Sequence, residues 1–206
     1  MSKVNQNAFF KKSDPALDVI GGQALNPSWW SRMYEYAWAI QFAGPALKVA
    51  DMGAGWSGRP FKEGLADLCK EVYAIDQDPR FLDLPNDREN LHFIVANFEQ
   101  EIMFIEPQSF DVVFCISVLE DLTNYDAALR EFYRVLKPGG QLVITCDSQY
   151  DERKPLTKYP GVSFDRLFDA IQEAGFRLPN GMDMDVEDAV FHEEWNLACW
   201  HMVLTK

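Results

Sequence analysis

The chain has 206 residues, 48% of them hydrophobic and 25% charged, the balance of a globular protein with room for one well-packed core. Thirty-two acidic residues against nineteen basic ones give a formal net charge of −13, which disfavours any polyanionic substrate, so no nucleic acid is expected as partner. No apolar run approaches membrane-spanning length and the first residues carry no secretory signal, so no membrane partner is expected and the cytoplasm is the expected compartment.

Residues 1 to 27, broken by Pro15, Gly21-Gly22 and Pro27, read as an irregular arm. "PSWWSRMYEYAWAIQFAG" (27–44) follows with Trp30, Met33, Tyr34, Ala37 and Trp38 at helical spacing, stopped by Gly44-Pro45. Then strand and helix alternate. Strands are predicted at 47–52, 71–76, 91–97, 109–117 and 141–147, and helices at 59–70, 124–137 and after the Ser163 cap, closed by Gly175. The run "SFDVVFCIS" (109–117) is apolar on both faces, as a central parallel strand should be. Two last strands, near 189–193 and 198–205, lack a helix between them and read as an antiparallel edge hairpin. The alternation predicts an α/β fold with a Rossmann-like, doubly wound, mostly parallel sheet and ligand sites at the carboxyl ends of its strands.

"DMGAGWSG" (51–58) sits at the first of those strand ends. Gly53, Gly55 and Gly58 have the spacing of a dinucleotide loop, and Asp76 ends the next strand 18 positions beyond Gly58, where an acidic residue would take ribose hydroxyls. Asp51, Gly53 and Gly55 read equally as a loop for S-adenosylmethionine. That ligand has a ribose diol but no phosphate, and its ammonium group suits a carboxylate at the loop start.

The segments "VADMGAGWSG", "VYAIDQDP", "HFIVANFEQ", "SFDVVFCISVLEDL" and "EFYRVLKPGGQLVIT" resemble, in order and spacing, the class I S-adenosylmethionine-dependent methyltransferases. The likeness runs from about residue 46 to 147. It implies a seven-stranded sheet with an antiparallel strand at its edge, a site-covering N-terminal arm and helix (1–45), and a donor-binding domain (46–206). It also implies S-adenosylmethionine as cofactor, S-adenosylhomocysteine as product, and a small-molecule acceptor methylated on O or N. By the same resemblance Asp51, Gly53 and Gly55 line the methionine moiety, and Asp76 with Gln77 beside it takes the ribose. Asn97 and the backbone of Phe98 meet the adenine, while Ile116 and Ser117 face the reacting end. The chain departs from the pattern at three points: Ser57 replaces a frequent third glycine, Asn97 a usual Asp, and Asp121 the histidine of a common Leu-Glu-His.

In-line methyl transfer needs donor and acceptor held in line more than it needs a nucleophilic side chain. Where the acceptor must lose a proton, the candidate bases are Asp121, Glu120, Tyr34, His192 and His201. Arg32 could pair with the donor carboxylate, Trp30 or Tyr34 could stack on donor or acceptor, and Trp56 either shapes the donor pocket or turns outward. No metal is expected: in "HEEW" (192–195) neighbouring strand residues point to opposite faces and cannot converge. "YDERK" (150–154) mimics a dehydrogenase Tyr-Lys pair but lies in a polar stretch cut by Pro155. The cysteines form no ligand cluster, and Cys115 and Cys146 read as buried small residues. Two alternatives stand beside methyl transfer: a non-catalytic S-adenosylmethionine-binding partner protein, and a dinucleotide-dependent oxidoreductase. Oligomeric state is not legible in the sequence.

Overall fold

The computed structural model describes residues 7–56, 58–149 and 161–206, which leaves Tyr150–Lys154 outside the described residues. In chain order it contains β1 (Asn7–Phe9), β2 (Val19–Ile20), β3 (Gln23–Ala24), α1 (Arg32–Ala39), β4 (Lys48–Met52), α2 (Phe61–Leu68), β5 (Glu71–Asp76) and β6 (Leu91–Val95). There follow β7 (Phe110–Ile116), α3 (Tyr125–Val135), β8 (Leu136–Gln149), α4 (Phe164–Ala174), β9 (Met182–Asp183), β10 (Phe191–His192) and β11 (Leu197–Thr205).

The main sheet runs β6-β5-β4-β7-β8-β11-β1-β9, with β10 paired to β11 off that path. Strands β6 to β8 are parallel, and β11 joins β8 antiparallel over nine registered pairs, from Leu197 opposite Gln149 to Thr205 opposite Gln141. The expected doubly wound sheet is present, and β10 with β11 forms the expected antiparallel hairpin, but β11 lies between β8 and β1 and not at the sheet's edge. Among the described residues this sheet has nine strands, more than seven, because β1, from the stretch read as an irregular arm, pairs antiparallel with β11, and the two-residue β9 adds beside it.

The central strands show why the sequence folds this way. In β7, Val112, Phe114 and Ile116 pack among α1 and α2, against Tyr36, Trp38, Phe61 and Leu65. Their neighbours Val113 and Cys115 point the other way, toward Leu129 and Phe132 of α3 and Leu167 and Ile171 of α4. Each large side chain buried there stabilises the fold by about 1.5–3 kcal/mol, so a strand apolar on both faces settles at the centre of three layers. Asn124 caps α3 by accepting from the Ala127 amide at 3.2 Å, and Gly175 closes α4 at φ 95°. Residues between Lys137 and Gly140 bulge from β8, so that Leu136 pairs Phe110 but Gln141 pairs Val112.

β4 is followed in the chain by β5 on one side, and its other neighbour β7 is followed by β8 on the opposite side, so the connections from the carboxyl ends of these two adjacent strands leave in opposite directions. That is the topological switch point, where an open parallel sheet leaves a crevice for ligands.

Candidate functional site

The turn after β4 is built for close approach. Gly53 and Gly55 have φ of 79° and 70°, a region that strains residues with a side chain. A Cβ at Gly53 would stand 2.5 Å from Val118 Cγ2, and one at Gly55 would run into the Arg59 side chain. Gly58, the third glycine of the dinucleotide spacing, is exposed and precedes α2 by three positions. It does not supply the tight helix–strand contact that a dinucleotide loop asks of it; Gly64, inside α2, is the glycine packed closely, against Ile20.

Asp76 ties the end of β5 to this turn. Its Oδ2 accepts from the Gly55 amide and its Oδ1 from the Asp78 amide, each at 2.9 Å. Both oxygens keep lone-pair capacity for further donors. On the inner side, the Lys62 ammonium donates to the carbonyls of Ala54, Gly55 and Arg59 at 3.3, 3.1 and 2.6 Å, with the residue only 2% exposed. Burial lowers its pKa, against the raising influence of Glu63 and Asp51. Asp51 lies 3% exposed beneath the turn, one carboxylate oxygen without a hydrogen-bond partner among the described residues. Burial pushes it up to about 7, with Lys62 opposing.

Two cavities meet at Trp29 and Arg59, which line both. One, a groove of about 610 Å³, is bounded further by Gly55, Trp56, Asp76 and Gln77. Trp56 is 41% exposed and carries the Arg80 guanidinium 4.1 Å over its ring, so it walls the groove while keeping one side in solvent. The other, of about 390 Å³, is walled by Trp30 and Trp195, with Arg32, Ser117, Glu120 and Asp147 among its polar residues and Asp121 also lining it.

Beneath the second cavity lies a polar network that crosses three elements. Glu35, fully buried in α1, receives Arg32 at 2.7 Å on one oxygen, and on the other the Ser117 hydroxyl at 2.7 Å together with the Thr145 hydroxyl. The Ser117 amide donates to Thr145 Oγ1 at 3.0 Å and to the Thr145 carbonyl at 2.9 Å. These contacts hold Ser117 at φ 46°, an uncommon conformation for a residue with a side chain. Burial alone would raise Glu35; Arg32 and the hydroxyl donors outweigh it and hold its pKa below the ordinary value. Beside them Asp147 is pushed up to about 7 by burial and by Glu35. Glu120 is pushed well above the usual carboxylate range by burial and by Asp147.

Of the residues singled out in the sequence, Gly55, Trp56, Asp76 and Gln77 meet in the groove, and Trp30, Arg32, Ser117, Glu120 and Asp121 in the cavity. Others line neither. Gly53 sits under Val118, and Asp51 is buried below the turn. Asn97 is exposed and spends its side-chain oxygen on the Glu99 amide at 2.8 Å, a local turn that sends Phe98 inward against Phe132. Ile116 and Tyr34 pack in the core on the α1 and α2 side. His192 stacks on Trp195 at 4.0 Å and accepts its amide proton on Nδ1, behind the cavity wall, while His201 lies between Phe10 and Trp38. Glu193 and Glu194 are exposed in the turn after β10, and no group of three described residues has the makings of a metal site.

Several residues of the site escaped the sequence reading: Glu35, Thr145, Asp147, Arg59, Lys62, Trp29 and Trp195. Asp147 carried a signal, as an acidic residue near the carboxyl end of a predicted parallel strand. Glu35 carried a fainter one, three positions after Arg32 on the same helical face.

Comparison with known proteins agrees with this geometry. The family model described as a methyltransferase domain matches residues 17–144. A ubiquinone/menaquinone biosynthesis C-methyltransferase of Neisseria meningitidis is 30% identical over 140 residues, which cover 66% of this chain and 44% of that relative. A ubiquinone biosynthesis O-methyltransferase of Pseudomonas aeruginosa is 30% identical over 139 residues, 60% of this chain and 59% of the relative. The chain thus spans under half the length of the Neisseria protein and three fifths of the Pseudomonas one. Among solved structures, a SAM-dependent methyltransferase from Aquifex aeolicus superposes with a TM-score of 0.62 at 16% identity, covering 88% of this chain and 98% of that one.

Proposed function

We propose that this chain, which belongs to the methyltransferase domain family, is an S-adenosylmethionine-dependent methyltransferase that acts on a hydroxylated aromatic small molecule held between Trp30 and Trp195. When bound, S-adenosylmethionine supplies a methyl group already activated by its sulfonium.

The residues at the switch point fit that donor. Asp76 has lone pairs left for a ribose diol after taking two amides. Gly55 offers bare backbone, and Trp56 with Gln77 forms a wall for the base. Arg32 gives one nitrogen to Glu35 and lines the cavity where a carboxylate end would lie.

The observation that carries the acceptor reading is the second cavity itself. Indole walls favour a flat ring, and Asp147, pushed up to about 7, can take the proton of a ring hydroxyl as methyl transfer proceeds. The local charge favours a neutral acceptor over an anionic one, because Arg59 faces Glu120, Asp121 and Asp147 while Arg32 is matched by Glu35. The Neisseria and Pseudomonas relatives, named for quinone biosynthesis, support the same class of acceptor, by C- or O-methylation.

The test is release of S-adenosylhomocysteine from the full chain with phenols, catechols and hydroquinones on one side and aliphatic amines on the other. Turnover confined to the hydroxylated rings is expected, with NMR of the product separating methylation at oxygen from methylation at ring carbon. Turnover confined to the amines would overturn the reading.

A further inference from the structure

The cavity walled by Trp30 and Trp195 has an unbalanced floor. Glu120 and Asp147 each keep one carboxylate oxygen, Oε2 and Oδ1, fully buried and without a hydrogen-bond partner among the described residues. A buried acceptor left unpaired is costly, and a buried carboxylate more so, unless a cation or a proton joins it. The titratable groups around this pair are Arg32 and Glu35 from α1, Cys115 from β7, Asp121 from the turn after β7, Cys146 from β8 and Cys199 from β11. Arg32 is the cation among them, and Glu35 already engages it at 2.7 Å. Arg59 lines the same cavity, opposite three carboxylates.

The cation that would reach this floor is the donor's sulfonium. The groove at Asp76 and the cavity at Ser117 share Trp29 and Arg59, so a donor with its ribose at Asp76 would extend its sulfur-bearing end into the cavity. We propose that Glu120 and Asp147 form a counter-ion pair that holds the sulfonium of the donor and, when the methyl group has left, takes a proton in its place. The acceptor atom forms the new bond to carbon as the carbon–sulfur bond breaks, and the bonding electrons stay on sulfur. The acceptor's proton passes to the carboxylate pair. The enclosed charge is the same before and after: a sulfonium beside two carboxylates becomes a thioether beside two carboxylates and one proton. The neutral sulfur of the product gives the pair nothing to hold, which favours its departure.

The inference rests on the donor site and not on which acceptor is methylated. It is tested by calorimetric binding of S-adenosylmethionine and S-adenosylhomocysteine to the full chain, near pH 6 and pH 8, in buffers of different ionisation enthalpy. Burial leaves a proton on the pair near neutral pH, with Asp147 pushed up to about 7. The methyl donor is therefore expected to release more protons on binding than the product does. Its preference over the product should rise about tenfold between the two pH values, since a neighbouring cation favours ionised carboxylates. Glu120→Gln and Asp147→Asn, each checked for folding by thermal melting, should cut that preference by about tenfold and leave product affinity within about twofold.

Equal proton release by the two ligands in the unaltered protein would overturn the proposal, whatever the variants do. So would an equal loss of both affinities in the variants, which would assign the pair to the amino-acid end that the ligands share. Failure of both ligands to bind the folded chain would overturn the donor site and this proposal together, whereas an error about the acceptor would surface only in turnover.

Discussion

Replacing Glu35 by alanine is expected to cost about 3–5 kcal/mol of folding stability, the usual consequence of stranding one member of a buried ion pair. The carboxylate is fully buried and takes three donors: the Arg32 guanidinium at 2.7 Å, the Ser117 hydroxyl at 2.7 Å, and the Thr145 hydroxyl. Removing it leaves Arg32, whose side chain is 12% exposed, with an uncompensated charge, and two hydroxyls without their acceptor. For a chain of this length the loss converts to a fall of roughly 6–20 °C in melting temperature. Urea denaturation at pH 7 and fixed salt measures it. Arg32→Met combined with Glu35→Met removes both charges at similar volume and should cost less than Glu35→Ala alone. Because the folded protein holds the Glu35 pKa below its ordinary 4.5, the contribution is complete above that pH and is lost as pH falls through the folded value. A cost below about 1 kcal/mol for Glu35→Ala, or a double variant less stable than the single one, would refute the account of Glu35 as the neutralising partner of Arg32.

Asp76→Ala should weaken donor binding by about 1–3 kcal/mol, since the ribose loses its acceptor and the Gly55 and Asp78 amides lose theirs; unchanged affinity in a folded variant would remove Asp76 from the donor site. Lys62→Met strips the ammonium from the carbonyls of Ala54, Gly55 and Arg59, and calorimetry should find donor affinity down by about 1–3 kcal/mol through a loosened turn. Asp51→Asn should stabilise the protein, and only at high pH. Folding raises this acid from 3.8 to about 7, so an ionised Asp51 costs stability increasingly between those values and nothing below both. At about 1.36 kcal/mol per unit the full cost is a little over 4 kcal/mol, and relaxation around the group brings the expected gain at pH 8 to about 2–4 kcal/mol. Melting curves at pH 4 and pH 8 that shift by the same amount would refute it.

What the sequence could tell followed from how local each signal was. The double-sided apolar run of β7 and the pairing of a glycine turn with Asp76 are each written within a few residues or one βαβ unit, and both were legible. The network under the cavity was not, because its partners lie far apart in the chain: Glu35 and Ser117 are 82 positions apart, Glu35 and Thr145 110. Nothing in local composition marks such a meeting. Asn97 illustrates the opposite case, in which a role expected from family likeness meets local turn chemistry. A side-chain oxygen two residues before an amide closes a turn on itself, and here it does so with Glu99. The N-terminal stretch was read as irregular because a three-residue strand has too short a period to register; β1 is fixed by its partner β11 rather than by its own pattern.

The same distinction separates the two halves of the site. The proposed donor contacts come from the turn after β4 and the end of β5, fixed by the parallel sheet and by Lys62 beneath the turn. The walls of the acceptor cavity come from Trp29 and Trp30, just before α1, and from Trp195 in the turn between β10 and β11. Neither wall belongs to a parallel strand, so either can change without moving Asp76 or the glycines. The floor is different: Ser117, Glu120 and Asp147 follow or end the central strands β7 and β8 and are bound to the same frame as the donor contacts. On the proposed reading, charge at the floor is therefore coupled to donor binding and ring shape at the walls is not. An exchange of Trp30 or Trp195 is expected to act on which acceptor enters, and an exchange at the floor on the transfer itself.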